Sequence, residues 1–276
     1  MQAVLHLLLV ASSIHRLTYN AHWRTWLVCT SQDAHVNIWS MCNLYSQTKG
    51  PQAIRDFVDA AFSSVGNLPP QPGIFPDYMA PIVRNTPDGR ELAMARWGLP
   101  SPAFALQGKK TDPGVTNVRN TKSPHWRRWL GVENRCVVPF TSFSEPAPQP
   151  DGTRPPGWFA FGEARPLAFF AGIHVPQWTS VRKVKEGETT NDLFAFLTCD
   201  ANKDVAVIHP KAMPVILRSR EEVETWLTAP TAEALKLQRP LPDGVLEIVA
   251  IGEKQDSVEL ARARLLDDGQ KHGTTH

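Results

Sequence analysis

Four short apolar runs constrain this chain more than any other feature: Arg135 to Phe140, Trp158 to Phe161, Leu167 to Ile173 and Leu193 to Thr198. Each is too short for a buried helix and rich in β-branched or aromatic residues, the pattern of strands covered on both faces. Proline- and glycine-rich segments such as Pro69 to Pro76 and Leu99 to Gly114 separate the runs from the rest of the chain as loops. Pro81 to Val83 and Glu91 to Gly98 flank Asn85-Thr86-Pro87-Asp88-Gly89-Arg90, whose Pro-Asp-Gly is a reversal signal, so this stretch is predicted to be a hairpin. Val245 to Ile251 supplies a last strand.

Helices are fewer. Pro51 to Phe62 places Ile54, Phe57, Val58 and Ala61 on one face, with Pro51 in the first turn and Gly66 beyond the end. His125 to Gly131 and Thr231 to Leu237 are short candidates, and Ser219 to Leu227 carries Ser219 as N-cap with Glu222 three residues on. The predicted class is therefore α+β: one strand-rich domain with peripheral helices.

Charge names no partner. The whole chain has 29 Lys+Arg and 27 Asp+Glu; without residues 1–40, which hold Arg16, Arg24 and Asp33, the counts become 27 and 26, a net charge of +1. A nucleic-acid surface must then come from a local cluster of cations. The four cysteines, Cys29, Cys42, Cys136 and Cys199, form no CxxC pair, which gives neither a zinc site nor a disulfide framework and makes a reducing cytoplasm the default. No cofactor or metal is expected. The run Ala3 to Ala11 lacks a preceding basic residue and is interrupted by His6, unlike a secretory signal, and no run is long enough for a membrane span. Residues 1–40 read as a non-native or cleaved leader, 41–255 as the domain and 256–276 as a polar, frayed or disordered tail.

The boundary at Met41-Cys42 has chemical weight. If Cys42 begins the mature chain, it presents an α-amine of pKa about 7.7–8.0 beside a thiol of pKa about 8.5. Such a pair captures aldehydes: the amine forms a Schiff base, and the thiol closes a thiazolidine ring on it. An amide nitrogen cannot do this, so any residue before Cys42 must be removed, by ordinary methionine loss or by self-processing. Asn117 with Arg119, Glu145 and His209 are the other polar residues set in strand-like surroundings.

From Met41 to about Ile251 the chain resembles the SRAP family, the SOS-response-associated peptidases or abasic-site-processing proteins. The segments that carry the likeness are Met41-Cys42 with Tyr45, Tyr78-Met79-Ala80-Pro81, Arg96-Trp97-Gly98-Leu99, Asn117-Val118-Arg119, Arg135-Cys136-Val137-Val138-Pro139, Phe143-Ser144-Glu145, Phe170-Ala171-Gly172-Ile173 and Ile208 to Leu217. The resemblance implies curved, barrel-like mixed or antiparallel sheets. It also implies a monomer that binds single-stranded DNA in the cytoplasm, nucleoid-associated when bound, and crosslinks to abasic sites through Cys42, with lyase and self-processing capability. Carried over, Asn117 holds the amine or nascent ring, Arg119 grips a phosphate, and Glu145 and His209 move protons. Pro81 is implied as a further DNA contact.

The chain departs from the family pattern in three places. Cys42-Asn43-Leu44 stands where Cys-Gly-Arg is common, so Arg84, Lys109, Lys110, Arg127 or Arg128 must supply the missing phosphate contact. Glu145-Pro146 replaces Glu-Trp, and Ala103-Phe104 replaces an aromatic pair. Phe104 is open between stacking on a base, a contribution of ~1–3 kcal/mol, and core packing. His125 and His174 are set aside as site members, and Trp97, Trp126, Trp129, Trp158, Trp178 and Trp226 are assigned to core or rim. Two other readings compete: a cysteine peptidase built from Cys42, His209 and Glu145, and a noncatalytic single-strand binder with purely salt-labile complexes.

Overall fold

The structure, a computed structural model, describes residues 42–259. The leader and all but the first residues of the expected tail lie outside the described residues. Fourteen strands form two sheets. In chain order they are β1 (Tyr45–Gln47), β2 (Phe62–Ser63), β3 (Gln71–Ile74), β4 (Met79–Thr86), β5 (Gly89–Trp97), β6 (Asn117–Val118), β7 (Arg135–Phe140), β8 (Ser142–Pro146), β9 (Pro156–Ala160), β10 (Ala168–Val181), β11 (Glu188–Cys199), β12 (Met213–Pro214), β13 (Ile216–Leu217) and β14 (Glu247–Ile251).

The larger sheet runs β12-β11-β10-β7-β4-β5-β2, and a parallel pairing of Leu193 with Arg96 and Phe194 with Trp97 joins β11 back to β5. That pairing closes β5-β4-β7-β10-β11 into a five-stranded barrel, which removes the exposed edges that long apolar strands would otherwise carry. The second sheet, β14-β9-β8-β1-β3, is antiparallel throughout and holds the segment after Cys42 at its centre. The strand-rich α+β class and the barrel-like curvature expected of the chain are both present.

One aromatic cluster joins the sheets. Phe140 and Phe170 stack with ring centroids 3.9 Å apart, Phe170 meets Phe196 at 4.5 Å, and Tyr45 of β1 stands edge-on to Trp97 at 5.1 Å. Such pairs contribute ~0.5–1.5 kcal/mol each beyond their area burial, and they seat β1 on the barrel. Trp97, Trp126, Trp129, Trp158 and Trp226 are all buried, while Trp178 packs partly buried against the same core.

The hairpin of β4 and β5 turns through Pro87-Asp88, with Thr86 paired to Gly89 at φ 123°, a conformation glycine adopts without steric cost. Helix α1 (Pro51–Val58) is shorter than its periodicity predicts. Asp59 caps it in the left-handed region at φ 52°, and Phe62 then joins β5 as a strand, so sheet pairing overrides the last apolar position. A longer helix, Arg220–Thr228, begins where expected, with Ser219 Oγ accepting from the Glu222 N–H at 3.2 Å. The buried Arg135 guanidinium donates to the Trp226 and Ala229 carbonyls at the far end of that helix, at 2.7 and 2.8 Å, where a cation opposes the helix dipole.

The tail boundary needs correction. Asp256 and Ser257 are buried, and Asp256 is hydrogen-bonded into the second sheet, so the domain continues past residue 255.

Candidate active site

Cys42 lies just before β1, and β1 pairs with β8, so the strand carrying Glu145 runs alongside the cysteine. The Ser144 N–H donates to Leu44 O at 2.9 Å, which continues the pairing toward Cys42. Side chains alternate across a strand; Glu145 therefore shares a face with Phe143, which packs against Phe159 at 5.3 Å and Phe140 at 6.1 Å. The carboxyl is 1% exposed, and neither oxygen has a hydrogen-bond partner among the described residues. Burial alone holds its pKa well above the usual carboxylate range, which favours the protonated form.

His209 is placed by a short helix, Lys203–Ala206, whose N-cap Asn202 accepts from the Val205 N–H at 3.1 Å. The His209 N–H donates to Val205 O at 2.8 Å as the helix ends. Its Nδ1 lies 2.8 Å from Ala212 O and 3.7 Å from Glu145 Oε2. A carbonyl can only accept, so in the neutral ring Nδ1 carries the proton and Nε2 is left as the acceptor. Nε2 is buried and unpartnered among the described residues.

Asn117 reaches the cysteine from β6, which pairs in parallel with β11. Its Nδ2 donates to Cys42 O at 3.0 Å and to Thr116 Oγ1 at 2.9 Å, while Thr116 Oγ1 donates to Asn43 Oδ1 at 3.0 Å. Asn43, which departs from the family pattern, thus joins a ring of bonds fastening the Cys42 segment to β6. Asn117 Oδ1 and the Tyr45 hydroxyl are also buried without partners among the described residues. The Cys42 thiol, 3.6 Å from Leu44 O, is pushed up by burial and by the nearby Glu145 carboxyl.

Cys42, Asn117, Glu145 and His209 therefore converge, while the expected DNA contacts fall into two groups. Arg119, Lys109, Lys110, Arg127 and Arg128 are exposed; Arg119 pairs with the exposed Asp200, and Arg128 lies 3.9 Å over Trp129. Phe104 is 76% exposed, so it is not a core residue. Arg84 and Pro81 do not fit their expected roles. Arg84 donates to Glu91 at 3.0 Å and Asp192 at 2.6 Å, which neutralises its charge inside the barrel wall, and Pro81 is buried in β4. His125 bonds Pro100 O at 2.9 Å, and burial lowers the pKa of the enclosed His174 to about 4. Sequence reading missed Thr116, whose role depends on two partners it cannot indicate.

Among the described residues no group of His, Cys, Asp and Glu is arranged to hold a metal ion, and no helix is long and apolar enough to cross a membrane.

The chain is similar over its fold to a protein from Bordetella bronchiseptica, with TM-score 0.57 and 23% identity over 75% of this chain and 97% of that one. A protein from Bacteroides thetaiotaomicron gives TM-score 0.54 and 21% identity over 75% and 90%, and a phage-related protein from Bordetella bronchiseptica 0.53 and 20% over 75% and 92%. No curated protein matches the chain. The family model for SOS response associated peptidase (SRAP) matches residues 41–258. The chain belongs to the SOS response associated peptidase family, whose members serve the DNA-damage response at abasic sites.

Proposed function

We propose that this protein binds single-stranded DNA and forms a covalent thiazolidine with the ring-opened aldehyde of an abasic site through Cys42, once residues before it have been removed. The observation that carries the reading is the convergence near Cys42 of Asn117 with two buried groups that can move protons: Glu145, whose oxygens have no hydrogen-bond partner among the described residues, and His209, whose Nε2 has none. The Cys42 amine adds to the aldehyde carbon, giving a carbinolamine. Glu145, kept protonated by burial, gives its proton to the hydroxyl, which leaves as water and yields the protonated imine, its nitrogen still carrying one hydrogen. The thiol then adds to the imine carbon: its proton passes to His209 Nε2, and the C=N electron pair moves onto the nitrogen, which keeps its hydrogen as the ring amine. One water is lost overall. Asn117 holds the cysteine main chain to β6 throughout.

The imine also acidifies the neighbouring sugar carbon, which makes β-elimination of the 3′ phosphate the competing path and gives the site lyase capability. Arg119, Arg127, Lys109 and Lys110 supply phosphate contacts, and Phe104 a stacking face for a base. The same acid and base serve hydrolysis of the Met41–Cys42 amide in self-processing. An ordinary cysteine peptidase fits less well, because such enzymes lower the thiol pKa and burial here raises it. Acetylating the Cys42 amine distinguishes the two: crosslinking to an abasic oligonucleotide is expected to vanish, whereas thiolate-dependent peptide cleavage would persist. Cys42→Ser is expected to trap less adduct and nick more strand; crosslinking equal to the parent would remove the thiazolidine step.

A further inference from the structure

The segment after β14 does not leave the domain. The Gly252 N–H donates to Pro156 O at 2.9 Å, and Trp158 Nε1 donates to Glu253 O at 2.7 Å, fixing the segment to β9. Three residues later the Asp256 N–H donates to Pro72 O at 2.7 Å, fixing it to β3. The approach to β3 is so close that a Cβ on Gly73 would lie 2.5 Å from Lys254 O, which excludes any larger residue there. Residues 252–257 thus cross the second sheet from one side to the other.

Asp256 is fully buried and bonded to the adjacent strands β8 and β1. Ser142 Oγ of β8 donates to its Oδ2 at 2.6 Å, and Ser46 Oγ of β1 donates to its main-chain carbonyl. Ser46 and Ser142 are direct cross-strand partners. The carboxylate is held in turn by Arg165, which donates from Nε at 2.8 Å and from Nη2 at 2.9 Å in the two-pronged geometry that suits a guanidinium. Arg165 itself sits at φ 48°, a backbone conformation a side chain bears only where its surroundings enforce it. Four residues before Ser46 is Cys42, and three after Ser142 is Glu145.

We propose that residues 252–257 are a strap that sets the reactive register, with Asp256 a positioning residue that clamps the β1 strand bearing Cys42 to the β8 strand bearing Glu145. The role in crosslinking rests on the proposed function; the clamp itself does not. Rates of aldehyde capture depend on placement at this scale, since a misplacement near 1 Å costs up to about a hundredfold.

The test uses the full chain and Asp256→Asn, with two readouts. The first needs no DNA: alkylation of Cys42 and Cys199 by N-ethylmaleimide, resolved by peptide mass spectrometry. Cys199 lies in β11, away from the strap, and serves as the internal reference. Asp256→Asn is expected to speed alkylation of Cys42 on the order of tenfold and leave Cys199 unchanged. The second is crosslinking to an abasic oligonucleotide, where the rate at saturating DNA is expected to fall on the order of tenfold at an unaltered half-saturating concentration. Equal alkylation of Cys42 in variant and parent, or equal acceleration of both cysteines, overturns the clamp. Should Asp256→Asn fail to fold, Ser46→Ala, which removes one hydroxyl, is read by the same alkylation ratio with the same two outcomes. A parent that alkylates as expected but forms no adduct would refute the crosslinking function and leave the clamp standing.

Discussion

Glu145 in the five-stranded sheet and Asp256 in the segment packed across it are both essentially sealed from solvent, yet among the described residues the first carboxyl has no hydrogen-bond partner and the second has several. Asp256 receives two bonds from Arg165 and one from Ser142. Among the described residues, Glu145 has His209 Nδ1 at 3.7 Å, and that nitrogen is directed to a carbonyl. Equal burial therefore serves opposite ends. A satisfied buried ion pair holds strands in place, while an unsatisfied carboxyl sacrifices stability for a raised pKa, as proton-transfer sites do.

The contrast is easiest to break through activity. Glu145→Gln is expected to slow crosslinking by about 10²–10⁴-fold, the range general acid catalysis supplies, with DNA binding retained; a variant within a few fold of the parent would leave Glu145 without a chemical role. Asp256→Ala removes the buried counter-ion of Arg165 and leaves it the exposed Glu163 at 3.2 Å, and is expected to lower stability by about 3–5 kcal/mol in denaturant unfolding. Glu145→Gln should do the reverse and stabilise the fold by about 1–3 kcal/mol near neutral pH, because an amide needs no desolvated charge.

The pH dependence sharpens the same point. With its pKa raised in the fold, Glu145 binds a proton more tightly there than in the unfolded chain. The stability it allows is whole below the ordinary Glu value of about 4.3 and is lost as pH rises through the raised value. The stability difference between Glu145→Gln and parent should therefore widen with increasing pH; a difference that stays flat would mean the carboxyl is not perturbed. The smallest effect separates free cations from committed ones. Arg127→Ala is expected to reduce the salt slope of single-strand binding by ~0.7, one phosphate's worth, whereas Arg84→Ala should leave that slope alone and loosen the barrel wall it joins.

Much of this architecture was legible in the residues. The run from Arg135 to Phe140 is a strand over its whole length, and the hairpin closes at Pro87-Asp88, because period and turn chemistry are local properties. What escaped was set by distant partners. Arg84 is neutralised by Asp192, 108 residues on, so its availability to DNA could not be judged from its neighbours. Asp256 stands in a polar stretch that has the composition of a tail, and its meaning lies in Arg165 and Ser142, 91 and 114 residues away. Phe104 remained ambiguous because a lone aromatic in a loop carries no period, and the fold leaves it exposed. The cluster around Cys42 was approached through family likeness rather than pattern, since its four members come from four separate segments.

The account stands most directly on the mass of the covalent product. Protein expressed with its upstream sequence should be incubated with a single-stranded oligonucleotide bearing one abasic site, denatured, and weighed intact. The account requires an adduct equal to a chain beginning at Cys42 plus the oligonucleotide minus one water, absent from Cys42→Ala. An adduct on chains that still retain Met41, or adduct formation undiminished in Cys42→Ala, would contradict it.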